Sequence, residues 1–290
     1  MFTDFYARPL LLPFSDQQLA VLSPIVVYWV YSLFFHVLTH LEIPWLEKYR
    51  IHDPEELKKN KVSVGQVLRG VLLQQVLQTI LGFLFVEDEP VVDVIKGQLA
   101  TVQLVQRVIA DPVLANSLGY ALYWYILPCW RFFVAMFVLD GYQYLFHRLF
   151  HTNRFLYKHI HSHHHRLYVP YAFGALYNHP VEGFIMDSAG AVLAQYISGM
   201  GNKGAMLFFA FSTLKTVDDH CGYTFPWDPL QFLFPNNVAY HDIHHQPFGI
   251  KKNYSQPFFT WWDSVLGTYV PVDVTFDRME QKAALKKKAL

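Results

Sequence analysis

Between residues 140 and 179 the chain places His147, His151, His159, His161, His163, His164, His165 and His179 in a polar interval between strongly apolar segments. Neutral imidazole is a common ligand for zinc, copper, iron and nickel, so a cluster this dense points to metal chemistry. His147 and His151 are four apart and stack on one helical face, which extended backwards takes in Tyr144 and Asp140. His161, His164 and His165 form H-x-x-H-H, which on a helix sends a pair and its neighbour into a shared site from two directions. The same box returns at His241, His244 and His245. One such box is a weak signal. A solvated polar face does not account for three of them.

Asp140 and Asp242 are the carboxylates assigned to the catalytic centre. Each can accept the free ring N–H of a ligating histidine, fixing its tautomer and orientation, or can serve as a plain helix-end or turn carboxylate. His159 and His163 fall between motif positions and read as surface or supporting residues. His36 and His40 read as interface residues, and His52 as an ordinary loop histidine.

The segments that must position these boxes are apolar. Hydrophobic residues make up 53% of the 290 and charged residues 16%, against a soluble norm of about 45–50% and 25%. Stretches 19–39, 63–86 and 117–139 have the length a membrane crossing needs. The second carries Gln66, Arg69, Gln74, Gln75 and Gln78 near helical spacing, which suits a polar stripe turned into a bundle. The third runs directly into Asp140 and the first box. Two shorter pieces, 183–199 and 204–216, are broken by SGMGNKG and read as a hairpin. Residues 87–114 read as an acidic loop, and 217–275 as soluble in character. Zero formal net charge gives no support to a nucleic-acid partner. Cys129 and Cys221 form no metal or redox motif.

Lys48, Arg50, Lys58, Lys59 and Lys61 make the 41–61 loop richer in cations than 87–114, which places that loop and the boxes in the cytosol. Lys287 and Lys288 then resemble a dilysine endoplasmic-reticulum retrieval signal. The expected fold is all-α: an integral membrane helical bundle of about four embedded segments or hairpins with a cytosolic histidine-rich catalytic cap. Its parts are an anchor region with two spans (1–116), a domain with the histidine boxes (117–275) and a basic tail (276–290).

The three boxes, with Asn178-His179-Pro180-Val181-Glu182, Asp219-His220-Cys221-Gly222-Tyr223 and Trp262-Asp263-Ser264-Val265-Leu266-Gly267-Thr268 around them, resemble the fatty acid hydroxylase superfamily over roughly 120–270. The run PWDPLQFLFPNNVAYHDIHHQPFGIKKNYSQPFF is most similar to its sphinganine C4-hydroxylase branch. The resemblance implies a di-iron centre and molecular oxygen as co-substrate. It also implies electrons from NAD(P)H through cytochrome b5 and its reductase. It adds His179 and His220 to the metal ligands His147, His151, His161, His164, His165, His241, His244 and His245. The implied reaction is C4-hydroxylation of a sphingoid base or ceramide, dihydrosphingosine to phytosphingosine. A sterol C4-methyl oxidase or C5-desaturase is the alternative in the same superfamily. A zinc membrane hydrolase needs only one metal and a general base, fewer ligands than these boxes offer. A metal transporter needs histidines along its spans rather than beyond their ends.

Overall fold

The structure is a computed structural model that describes residues 10–11, 13–85 and 91–273. Lys287 and Lys288 lie outside the described residues. The architecture is all-α: among the described residues the only β features are two isolated bridges, Leu11 with Phe14 and Arg50 with Tyr223.

Helix α1 spans Asp16–Leu41 and starts at a reciprocal cap. Ser15 Oγ accepts from the Gln18 backbone N–H, and Gln18 Oε1 accepts from that of Ser15. Helix α2 spans Val64–Phe85. Its glutamines divide: Gln74 and Gln75 are buried whereas Gln66 is exposed. Gln75 Oε1 accepts from Trp29 Nε1 of α1 at 2.9 Å, so the polar stripe clamps two helices together.

The stretch read as an acidic loop contains a third helix, α3, Val91–Gln106. Most of its acidic residues precede the helix, while VVDVIKGQLATVQLVQ itself repeats apolar residues at helical spacing. Helix α4 follows as one continuous 41-residue run, Pro112–Thr152, whose Asp111 cap accepts from the N–H groups of Val113 and Leu114. At about 1.5 Å per residue it is about 60 Å long, twice a bilayer's hydrocarbon thickness. A membrane therefore accounts for part of α4, and the remainder carries His147 and His151 beyond it.

The hairpin has the expected two arms. Residues 180–198, here α5, combine Pro180–Gly183, a π-helical turn Phe184–Ala189 and Gly190–Ser198. Helix α6 spans Asn202–Asp219. Gly199 closes the first arm at φ 66°, a left-handed conformation that glycine adopts without Cβ strain. Helices α1 and α6 pack along their length, and α5 lies on α4.

Helices α1, α2 and α4 are long and apolar enough to cross a membrane, and each presents large apolar residues outward, among them Val30, Leu84 and Phe133. The chain is a membrane protein. A cap of short helices and loops stands over the bundle, including a 3-10 turn His161–Arg166 and helix α7, Val238–His245.

Candidate metal centre

Three different backbones supply the boxes. His147 and His151 lie on the last turns of α4, His161, His164 and His165 on the tighter 3-10 turn, and His241, His244 and His245 on α7. His220 follows the last residue of α6. All nine are buried.

They sort into two groups. His147, His151, His161, His165 and His244 form one; His164, His220, His241 and His245 form the other; the ligand atoms within each lie within 4.8 Å of one another. The H-x-x-H-H boxes are thus split between groups: His164 leaves its neighbours for the second, and His244 leaves its own for the first.

The hydrogen bonds explain why these rings converge. Nδ1 of His147 donates to the Tyr254 carbonyl at 2.8 Å, His244 to Lys252 at 2.7 Å, His245 to Leu167 at 2.8 Å and His220 to Thr216 at 2.8 Å. His164 Nδ1 donates to Tyr177 at 3.2 Å, and His161 Nδ1 to Glu182 Oε1 at 2.5 Å. A neutral ring with its proton on Nδ1 has a bare lone pair at Nε2. The Nε2 atoms nevertheless face one another: His161 to His151 at 2.7 Å, His165 to His161 at 3.0 Å, His244 to His165 at 3.2 Å, His241 to His220 at 3.1 Å and His245 to His241 at 3.1 Å. Lone pairs without a proton between them repel, and a cation between them reverses that. Metal–imidazole bonds of about 2.0–2.1 Å place neighbouring nitrogens roughly 3 Å apart, as here. Burial pushes the rings of His220 and His244 down to about 4 and that of His161 down to about 3, which keeps them in the neutral, ligating form.

Three expected site residues stand elsewhere. His179 belongs to neither group: its Nδ1 accepts from the Val181 N–H at 3.2 Å and caps the turn at Pro180. Asp140 accepts from the backbone N–H groups of Phe258 at 2.9 Å and Phe259 at 2.7 Å, so it fastens a loop rather than a ring. Asp242 Oδ1 accepts from His52 Nε2 at 2.8 Å, and the Nδ1 of His52 meets Glu56 at 2.7 Å. His52 is therefore no ordinary loop histidine, since it ties the 41–61 segment to the helix of the third box.

The carboxylates that do support the centre are Glu182 and Asp263. Glu182 orients His161. Asp263 accepts from the N–H groups of Tyr254 and Ser255 and from the hydroxyls of Tyr240 and Thr268, fixing the segment whose Tyr254 carbonyl holds His147. Both were visible in the flanking words HPVE and WDSVLGT, but their role depends on contacts distant in sequence.

A family model for fatty acid hydroxylases matches residues 132–268. The sphingolipid C4-hydroxylase sur2 of Schizosaccharomyces pombe is 46% identical over 90% of this chain and 91% of its own. A very-long-chain aldehyde decarbonylase of Oryza sativa is 44% identical over 90% of this chain and 91% of its own. Methylsterol monooxygenase 1 of Rattus norvegicus is 34% identical over 54% of each chain. No solved structure matches.

Proposed function

The chain belongs to the fatty acid hydroxylase family, and we propose that it is a membrane di-iron monooxygenase that hydroxylates C4 of a sphingoid base. The observation that carries this reading is the pair of histidine groups with inward-facing bare Nε2 atoms. One iron belongs with His147, His151, His161, His165 and His244, and the other with His164, His220, His241 and His245. Bound there, iron would supply the oxidising power that side chains lack for an unactivated C–H bond. Iron rather than zinc follows from that need, together with the family.

The residues of this chain do the rest. Carbonyls and Glu182 hold the Nδ1 proton of His147, His161, His164, His220, His244 and His245 and keep their Nε2 atoms bare. A cavity of about 530 Å³ between α1, α2, α5 and α6, lined by Ile25, Leu81, Phe184 and Phe209 among others, has the character of an acyl site. It reaches Gln143, Asp187, Thr216 and Pro257, which also line a small polar chamber with His161, His164, His220 and His241. A chain lying in the cavity presents its polar end beside the two groups, and the apolar wall excludes water from the remainder.

Oxygen balance requires one atom of O2 in the product and the other in water, with two electrons and two protons supplied. The electrons are assigned to NAD(P)H through cytochrome b5 and its reductase. The assigned location is the endoplasmic reticulum membrane with the cap in the cytosol. In support, the basic 41–61 loop packs on the cap: Arg50 lies over the Tyr223 ring, and the Lys61 N–H meets the Arg166 carbonyl.

The test is turnover of dihydrosphingosine under ¹⁸O2. The expected product is a 4-hydroxylated base carrying one ¹⁸O. Label entering from water instead would defeat the monooxygenase reading. A long-chain aldehyde converted to a hydrocarbon, without hydroxylated base, would favour the reaction named for the rice relative.

A further inference from the structure

The polar chamber beside the metal groups measures only about 40 Å³, and its wall holds two carboxylates that the metal account leaves incompletely used. Glu182 gives Oε1 to His161, while its Oε2 is buried without a partner. Asp187 sits in the π-helical turn of α5 and lines both the chamber and the long cavity. Its two amide donors, Gln74 Nε2 at 2.8 Å and Asn178 Nδ2 at 3.4 Å, both fall on Oδ2, leaving Oδ1 for the cavity. Asp219, the third carboxylate of that wall, already pairs with Lys215. Neither cavity has a lysine or arginine in its wall.

An unpaired carboxylate in a low-dielectric site is costly, and a ligand that brings its own cation removes the cost. We propose that Asp187, with Glu182 beside it, is the binding site for the protonated amine of a free long-chain base. The site thereby selects that base over its N-acylated form. This rests on the reading above, in which C4 lies beside the metal groups. The amine is then two carbons away, at the chamber, and the hydrocarbon runs back into the long cavity. A ceramide replaces the ammonium with a neutral amide and adds an acyl chain at the end where only about 40 Å³ is open.

Gln74 is held in position for this task. A Cβ on Gly183 would come within 2.4 Å of its side-chain amide, so glycine at that position leaves the Gln74 amide the room it occupies. The sequence carried a hint as well: Asp187 is the lone charge in the apolar run GFIMDSAGAVLAQ, and an ionisable residue in such a setting marks a candidate site.

The experiment compares saturated C18 base, its N-acetyl derivative and a dihydroceramide as substrates of the full-length, metal-loaded protein in lipid vesicles. Wild type and Asp187→Asn are assayed side by side. The variant keeps the side chain's shape and an acceptor for Gln74 while removing the charge. Wild type should show kcat/KM at least ~10-fold higher for the free base than for either amide. Asp187→Asn should lower the free-base value at least ~10-fold, mainly through KM, and leave the N-acetyl value within about twofold, so that the preference collapses. Under anaerobic conditions the free base, not its N-acetyl derivative, should raise the melting temperature of the wild-type protein.

Equal wild-type turnover of base and N-acetyl base would overturn the proposal, and this comparison stands even where the variant does not fold. A loss in Asp187→Asn that is equal for amine and amide would also overturn it, because that is the signature of a structural role. In both cases C4-hydroxylation itself would survive. Hydroxylation of none of the three by wild type would instead remove the functional reading and this site with it.

Discussion

Six of the nine proposed ligands, His147, His161, His164, His220, His244 and His245, depend on an atom at the far side of the ring. Their Nδ1 is satisfied by a carbonyl or carboxylate, and Nε2 is left for metal. The boxes were legible in the sequence because a spacing of three or four residues is enough to put side chains on one helical face. Their partners were not, because carbonyls of Tyr254, Leu167 and Lys252 carry no residue-type signature. Tyr254 also reaches His147 from 107 residues away. The same reasoning separates His161, a box histidine, from His179, which only the family resemblance adds to the ligands. His161→Ala should lower bound metal per chain and abolish hydroxylation, whereas His179→Ala should leave metal content unchanged; elemental analysis of the purified variants reads both. Metal loss in His179→Ala equal to that in His161→Ala would return His179 to the ligand set. Glu182→Gln should weaken metal binding or activity by about 10–100-fold, as removing the group that orients a ligand does elsewhere. A wild-type metal titration in that variant would mean that Glu182 does not orient His161.

At the scale of elements, the segments that position the boxes followed from composition: the first two spans, the third leading into His147, and the hairpin all lie close to where apolar runs place them. Helix α3 did not, because Glu87, Asp88 and Glu89 directly before it give the stretch a loop-like charge that obscures the helix's own periodicity. Nor did the ties between elements, which are polar groups meeting across the fold. Lys215, wholly buried, pairs with Asp219 and donates to the Asn236 carbonyl at 2.7 Å, fixing the end of α6 where His220 begins. Removing one member strands a buried charge, so Lys215→Ala should cost about 3–5 kcal/mol. A melting temperature within the error of wild type would contradict that. His52 joins the 41–61 segment to α7 through Asp242. His52→Ala should cost about 1–3 kcal/mol by leaving that buried carboxylate only the long Gln246 contact at 3.5 Å, with metal content retained because no ring of the centre touches His52. Loss of metal in step with stability would show that the tie also shapes the centre.

The whole molecule is a membrane bundle whose apolar residues face outward and whose polar residues gather in a cap. The basic 41–61 loop, folded onto that cap, makes orientation one question for both. Lys58 is well exposed at its tip, so Lys58→Cys in sealed, cytosol-side-out vesicles should react with a membrane-impermeant thiol reagent without detergent. Labelling only after detergent would invert the topology. Cys129 is also exposed on α4, so the comparison is made in a Cys129→Ser background. Broad architecture was readable at this scale because membrane solvation writes itself into composition. The cavity and its polar end were not, since their walls come from α1, α2, α5 and α6 together. The central claim is that this bundle delivers C4 of a sphingoid base to two histidine-held metals. Its most direct test is long-chain-base profiling by mass spectrometry in cells lacking their own 4-hydroxylase, with the chain or its His161→Ala variant expressed at equal abundance. The account predicts new 4-hydroxylated base with the wild-type chain and none with the variant. Abundant wild-type protein without that product, or equal product from the variant, would contradict it.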